Sequence, residues 1–398
     1  MNTLVLALSL LAAEAPEELR ARLVQTWGAA ADWLVTQQDA SGFWKMEQGG
    51  QASPSPSYTG LIVTGLANAP AELKDKYKGA VAKGVDYLLS KVNADGSVGE
   101  GPTGGFLKTY ATAIALMAFS SAERTSKVSD AVRGAQAYLK NNQMKEGINR
   151  GGSGYGDDSP TIGKDGKPTT KKGVANMSTT GFTAEALERS GLPKDDEFWK
   201  LVVEFCRRCQ NSTEVNKDPE FMAALKAKGM GVGNDGGLYY GPFADPAMQK
   251  AGVKKIADKD VIVSYGAMTY DGLKTYLYAG LKKDSPEVTA AMDWVRKNYS
   301  LEAHPGFAFD AVQRHQLRGL YHYYMVMARA LDAYGERPLE TFDGKKHDWP
   351  VEMSERLLKV VQESKMWKNE NPGWYEGDPV LVTSYVLTTC DVLFRYIK

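Results

Sequence analysis

Three ionisable residues stand where a charge is costly. Asp271 lies in MTYDGLK, His322 in LYHYYMVM and Asp378 directly ahead of PVLVTSYVL, each in or beside a strongly apolar stretch. A charged group buried there needs a partner or a task. Apolar surroundings keep a carboxyl group protonated to higher pH, which suits Asp271 to general acid work; the alternative is an ion pair with Lys274 one helical turn on. His322 reads as a proton-transfer group or as a packed core histidine. Asp378 reads as a carboxylate of the site or as the cap of the helix after it. These three are the candidate catalytic residues. Asp157-Asp158 in GYGDDSP, and Asp258 and Asp260 in ADKDVIV, have the composition of polar turns. Cys206 and Cys209 in FCRRCQ lie one turn apart on a helical pattern, with no second CxxC and no nearby His to complete a zinc set. They read as thiols packed into a helix interface. No metal and no cofactor is expected.

Charge narrows the partners. Lys plus Arg and Asp plus Glu number 48 each, so no basic excess is available to neutralise phosphates, and nucleic acid is not expected as a partner. Residues 1–15, MNTLVLALSLLAAEA, place an apolar run from Leu4 to Ala13 ahead of small residues, as an export signal does. The expectation is a signal at 1–15, an exported protein, and one domain over 16–398. No stretch reaches the roughly 20 apolar residues of a spanning helix, which leaves peripheral contact as the only membrane role considered.

The elements that position these residues come from a repeat. GAAADWLVTQQDASGFW (28–44) has counterparts in VAKGVDYLLSKVNADGSVG (81–99), AVRGAQAYLKNNQ (131–143) with GGSGYG (151–156), and EFWKLVVEFCRRCQ (197–210) with NDGGLYYGP (234–242). Two divergent copies follow, EVTAAMDWVRKNYS (287–300) and the segment 352–378. Trp33, Tyr87, Tyr138, Phe205, Trp294 and Leu357 align as equivalent positions. Each copy opens with an amphipathic helix. Each is followed by a small, apolar and aromatic helix, over 57–69, 109–122, 177–191, 264–280, 317–335 and 381–397, of the kind that is buried on most sides. Six outer–inner pairs bury all their inner faces only if they close on themselves. The expected fold is all-α, an (α/α)6 toroid. In the turn Gln38–Trp44 the Gln serves the unsatisfied groups at the end of the outer helix, the Gly reverses the chain and the aromatic covers the joint.

QDASGFW (38–44) has the full QxxxGxW pattern, and the looser DG form recurs at 93–97, with Val98 in place of the aromatic, and at 234–240. On these residues the chain, over about 25–398, resembles the repeat family of squalene and oxidosqualene cyclases and protein prenyltransferase β subunits. That resemblance implies a cavity at the mouth of the toroid lined by inner-helix aromatics. Tyr58, Tyr110, Tyr265, Tyr270, Tyr321, Tyr323 and Trp374 are the residues it implies as ligand-binding. Aromatic faces there would stabilise positive charge without supplying a quenching base. The chain departs from the family in having no DxDD segment, no reactive GCGEQ-like thioester, and Leu381 and Val382 where a zinc-binding His would follow Asp378. The polar insertions 160–173 and 211–233 read as solvated loops. The functional expectation is an apolar, isoprenoid-like ligand in the central cavity, with cyclase or isomerase chemistry through a buried acid. Two alternatives stand beside it: a binding or scaffold protein using the rim, and a polysaccharide lyase or hydrolase with paired carboxylates.

Overall fold

The computed structural model describes residues 15–48, 50–99, 107–156, 159–162, 168–171 and 173–398. The expected export segment, up to Glu14, and the Asp157-Asp158 pair lie outside the described residues. Outer helices are α1 (Pro16–Thr36), α3 (Lys74–Ser90), α5 (Ser126–Asn141), α7 (Glu197–Arg208), α10 (Pro286–Asn298) and α12 (Trp349–Val360). Inner helices are α2 (Pro56–Ala67), α4 (Lys108–Ser121), α6 (Met177–Arg189), α9 (Gly266–Tyr278), α11 (Leu320–Tyr334) and α13 (Pro379–Tyr396). The inner helices pack in the order α2, α4, α6, α9, α11, α13, and α13 packs back on α2, while α1 meets α12. The ring is closed, and the fold is an (α/α)6 toroid.

Helix propensity does not hold this inner ring together, because its helices are rich in Thr, Gly and Tyr. Burial does. Ala113 to Phe119 of α4 are each at most 1% exposed, and small residues let the helices touch. A Cβ added at Gly60 would stand 2.7 Å from Ile114 Cγ2.

Three of the turns clasp the next unit through a glutamine. The Gln38 amide donates to Gly42 O within its own turn and to Ala80 O of α3, at 3.0 and 2.9 Å. Gln143 does the same with Gly151 O and Phe198 O of α7, and Gln210 with Gly236 O and Glu287 O of α10. Gly42 (φ +93°) and Gly151 (φ +86°) need glycine twice over: the conformation is left-handed, and a Cβ would lie 2.2 Å from Lys83 O and 1.8 Å from Leu201 O. Trp44 is fully buried and donates from Nε1 to Leu34 O of its own outer helix at 2.7 Å. A threonine one turn into the inner helix completes the joint. Thr59, Thr112, Thr180, Thr269 and Thr383 accept from the backbone N–H of Trp44, Val98, Ser153, Leu238 and Trp367 at 2.9 to 3.1 Å.

Two details differ from the sequence-based alignment. In the last unit Trp367 Nε1 donates to Leu357 O, the counterpart of Leu34, so Arg356 and not Leu357 occupies the place of Trp33. Lys365 (φ +62°) stands there in place of the turn glycine. The insertion 211–233, expected as a solvated loop, holds a further helix, α8 (Pro219–Ala227). Asp218 caps it at Phe221 N–H, and Phe221 and Leu225 are buried.

The two ends of the ring are unequal. Connections from outer to inner helix span 37–55, 91–107, 142–176, 209–265, 299–319 and 361–378, whereas those at the opposite end span 68–73, 122–125, 190–196, 279–285 and 335–348. Among the described residues the long connections carry hairpins β1–β2 (Lys45–Gln48, Gln51–Pro54) and β3–β4 (Ser159–Ile162, Pro168–Lys171). They also carry a sheet of β5 (Met230–Gly231), β7 (Lys259–Ile262) and β6 (Val253–Ile256), in that order. The end where the inner helices begin is therefore the elaborated one. Gly151→Ala is expected to cost at least about 2 kcal/mol, through left-handed strain and the clash with Leu201 O, measured by urea unfolding. A near-neutral result would show that the turn is not locked on α7.

Candidate functional site

Capping assembles the mouth. The connection that leads into one inner helix caps the inner helix before it. Tyr155 O takes Thr109 N–H of α4 at 2.9 Å, and Tyr240 O takes Met177 N–H of α6 at 2.8 Å. His304 Nε2 takes Ala267 N–H of α9 at 2.9 Å. The Glu376 carboxylate takes Tyr321 and His322 N–H of α11 at 3.2 and 2.8 Å. Such partners satisfy amides that a helix start leaves free. His304 Nδ1 lies 2.7 Å from Arg318 O, which places its proton there and leaves Nε2 to accept. Burial lowers the pKa of this imidazole to about 4.

These caps bring aromatics from around the ring together. Tyr110 of α4 packs on Phe182 of α6 and on Tyr155, with centroids 4.7 and 6.2 Å apart, and its hydroxyl lies 2.8 Å from Ser178 Oγ. The Tyr155 and Tyr240 hydroxyls are hydrogen-bonded. Phe182 stacks on His322 of α11 at 5.7 Å, and His322 meets Tyr385 of α13 edge-on at 5.8 Å. Tyr58 of α2 faces Asp378 and Tyr375. Asp378 itself caps α13 through Val380 N–H at 2.9 Å. Burial, with the Asp378 carboxylate adding to it, pushes the Tyr58 phenol well above its ordinary value, and burial also raises Asp378. His322 Nε2 is buried without a hydrogen-bond partner. Burial, reinforced by the Lys274 charge, lowers His322 to about 3, so its ring is neutral.

Beneath the aromatics lies a layer of ion pairs. Lys274 Nζ is 2.9 Å from both Asp271 Oδ1 and Glu185 Oε2, and Arg329 Nη1 is 2.5 Å from Glu185 Oε1; all four side chains are at most 2% exposed. Gly181 makes the room, since a Cβ there would stand 2.5 Å from Asp271 Oδ1. The pairing runs on through Arg189 to Asp391 and Arg395 at the opposite end. Burial raises Asp271 to about 6, more than the Lys274 charge lowers it. Burial acts the same way on Glu185, yet the combined charges of Arg329, Lys274 and Arg189 hold that carboxyl far below its usual range.

Of the candidate residues, Tyr58, Tyr110, Tyr265, Trp374, His322 and Asp378 meet at the mouth, and Asp271 sits in the layer below. Tyr270, Tyr321 and Tyr323 are turned elsewhere. Tyr270 and Tyr323 pack on each other at 5.7 Å, with the Tyr323 hydroxyl on Ser300 O, and Tyr321 packs edge-on to Tyr324. Sequence reasoning missed Tyr155, Tyr240, Phe182, Tyr385, Glu376 and the Glu185–Arg329 pair. A signal existed for some of these, because Ser-Tyr or Thr-Tyr recurs at 57–58, 109–110, 264–265 and 384–385, and Glu185 and Arg329 are charges within apolar helices. Cys206, Cys209 and Cys390 are free and buried, and burial raises all three thiols. Among the described residues no group of three or more His, Cys, Asp or Glu is placed to hold a metal ion, and no helix is long and apolar enough to cross a membrane.

The class defined here is the (α/α) toroid. No family model matches the chain, and no curated protein does. Solved structures share its fold at low identity. The type II terpene cyclase MstE from Scytonema is 13% identical with a TM-score of 0.52, over 95% of this chain and 100% of that one. D-mannose isomerase is 12% identical with a TM-score of 0.54, over 95% and 97%. A glycoside hydrolase family 76 mannosidase from Bacteroides thetaiotaomicron is 10% identical with a TM-score of 0.54, over 94% and 100%. These likenesses establish the fold, which by itself carries no chemistry.

Two outcomes follow from the ionic layer. Lys274→Met leaves two buried carboxylates short of a cation and is expected to cost about 3–5 kcal/mol, most of it recovered when Asp271→Asn is added. Urea unfolding of all four proteins measures the coupling, and simple additivity would refute it. Because the Asp271 pKa rises from 3.8 to about 6 on folding, the folded chain holds this proton where the unfolded chain has lost it. Its contribution to stability is therefore present below pH 3.8 and is lost as pH climbs to about 6. Thermal melts across that window should show a slope that flattens in Asp271→Asn.

Proposed function

We propose that the protein holds a small organic ligand with an apolar, isoprenoid-like body in the aromatic mouth at the start of the inner helices. The observation that carries this reading is the convergence there of Tyr58, Tyr110, Tyr155, Phe182, Tyr240 and Tyr385 from both inner helices and long connections, with the Tyr58 hydroxyl set against Asp378 and His322 Nε2 buried and unpaired. Aromatic faces contact the apolar body, and the unpaired His322 nitrogen gives it a polar point of attachment. The ion pairs beneath form a polar floor, which favours a ligand confined to the mouth over a chain running down the axis. In cyclase or isomerase chemistry Asp271 would be the acid. It lies under the aromatics, and its partner Lys274 influences how readily it gives up a proton.

A second reading has support of its own. Two of the three fold relatives act on mannose or mannosides by name, and Asp378 at a tyrosine-lined mouth suits a hydroxylated ligand as well as an apolar one. One panel separates the two. Geranylgeraniol, squalene, mannose and mannobiose are each titrated while melting temperature and ligand saturation-transfer signals are followed. The first reading expects a response to the prenyl compounds that weakens roughly tenfold or more in Tyr110→Ala and Phe182→Ala. A response confined to the sugars would move the assignment to a saccharide, and silence from all four would overturn both readings.

A further inference from the structure

The segment Asn371–Asp378, NPGWYEGD, borders the mouth in an unusual backbone state. Trp374 (φ +57°) and Tyr375 (φ +65°) are consecutive left-handed residues that both carry large side chains. A bulky residue adopts this conformation only where its surroundings impose it. The Trp374 ring lies against Gly319 at the start of α11, where an added Cβ would stand 2.4 Å from Trp374 Cε3. It also packs on Tyr265 and Phe307 at 6.4 and 5.6 Å. Tyr375 is 47% exposed beside Tyr58 and Tyr155.

Two kinds of anchor hold the segment. Asn371 Nδ2 donates to Gln313 O at 2.8 Å, and Asn369 Nδ2 donates to Leu317 O at 2.6 Å, stitching it to the preceding connection. The other anchor is Glu376, 1% exposed, whose carboxylate takes the first amides of α11 and the Asn369 side chain. The titratable and charged groups facing it are Tyr321 and Tyr324 of α11, Tyr385 of α13 and, beyond the two α11 phenols, Arg356 of α12. Arg318 lies against Gly373 in the adjoining turn. The bonds from Glu376 to α11 and the positive end of the helix favour its charged form, yet burial disfavours that form more strongly.

We infer that residues 371–378 form a strap over the ligand mouth, latched in its strained state by the buried Glu376 carboxyl on the N-terminus of α11, and released when that carboxyl ionises. The inference rests on the mouth as the ligand site only for its purpose. The latch itself is a property of the free protein. Burial raises Glu376 to about 7, which puts the change within ordinary conditions.

Hydrogen–deuterium exchange on the full chain without ligand tests it, at about pH 5 and about pH 9, either side of a raised carboxyl, with intrinsic rates corrected for pH. Peptides covering 318–324 and 370–378 should exchange roughly tenfold faster at the higher pH, relative to peptides elsewhere in the ring. Glu376→Gln, neutral at every pH and still able to accept from α11, should show the slow exchange at both. Tyr375→Gly accepts the left-handed backbone without strain and should keep the strap protected at both. Equal protection of the wild type at the two pH values, or faster exchange in Tyr375→Gly, would overturn the latch. Either result leaves the ligand panel untouched, so the two proposals fail separately.

Discussion

The contact on which the rest of the molecule depends is the seat of each turn on the outer helix of the next unit. The Gln amide bonds its own turn and the next outer helix at once, and the turn glycine lies so close to that helix that no side chain fits between them. The glutamine clasp recurs in the first, third and fourth units, and the inner helices pack in sequence until α13 meets α2. A closed ring has no terminal repeat to cap. It also explains how helices of indifferent propensity persist, since every inner helix is enclosed by two inner neighbours and its outer layer.

A second linkage lies at the mouth. Four of the long connections there serve the inner helix before them, through Tyr155, Tyr240, His304 and Glu376. The groups that line the site are thus also groups that finish helices. This double use places aromatic side chains with little freedom, which lowers the entropy a ligand would have to remove. It also places Glu376, a carboxylate with a structural duty, beside the strained Trp374–Tyr375 pair.

The interior departs from a purely apolar cavity. Asp271, Lys274, Glu185 and Arg329 balance one another in charge, and breaking any pair leaves a buried ion unmatched. Such a layer specifies how α6, α9 and α11 register against one another more sharply than interchangeable apolar contacts do. Structures with this fold carry names as different as terpene cyclase, mannose isomerase and mannosidase.

The sequence by itself determined the all-α class, the outer–inner alternation and the six units, because amphipathic period and turn glycines are local properties that survive in one dimension. It also identified the chemistry of Gln38, Gly42 and Trp44, although the bond from Gln38 to Ala80 lies beyond any local pattern. Only the tertiary structure decided which tyrosines face the mouth. Tyr265 and Tyr270 stand on the same helix start or its second turn, and a rotation of a few residues about the axis sends one to the mouth and the other to a neighbour. It alone paired Lys274 with Glu185 across two helices, and carried Glu376 from one unit to the helix start of another. Contacts of that kind depend on how the ring closes, and closure is a sum over all six units that no single segment contains.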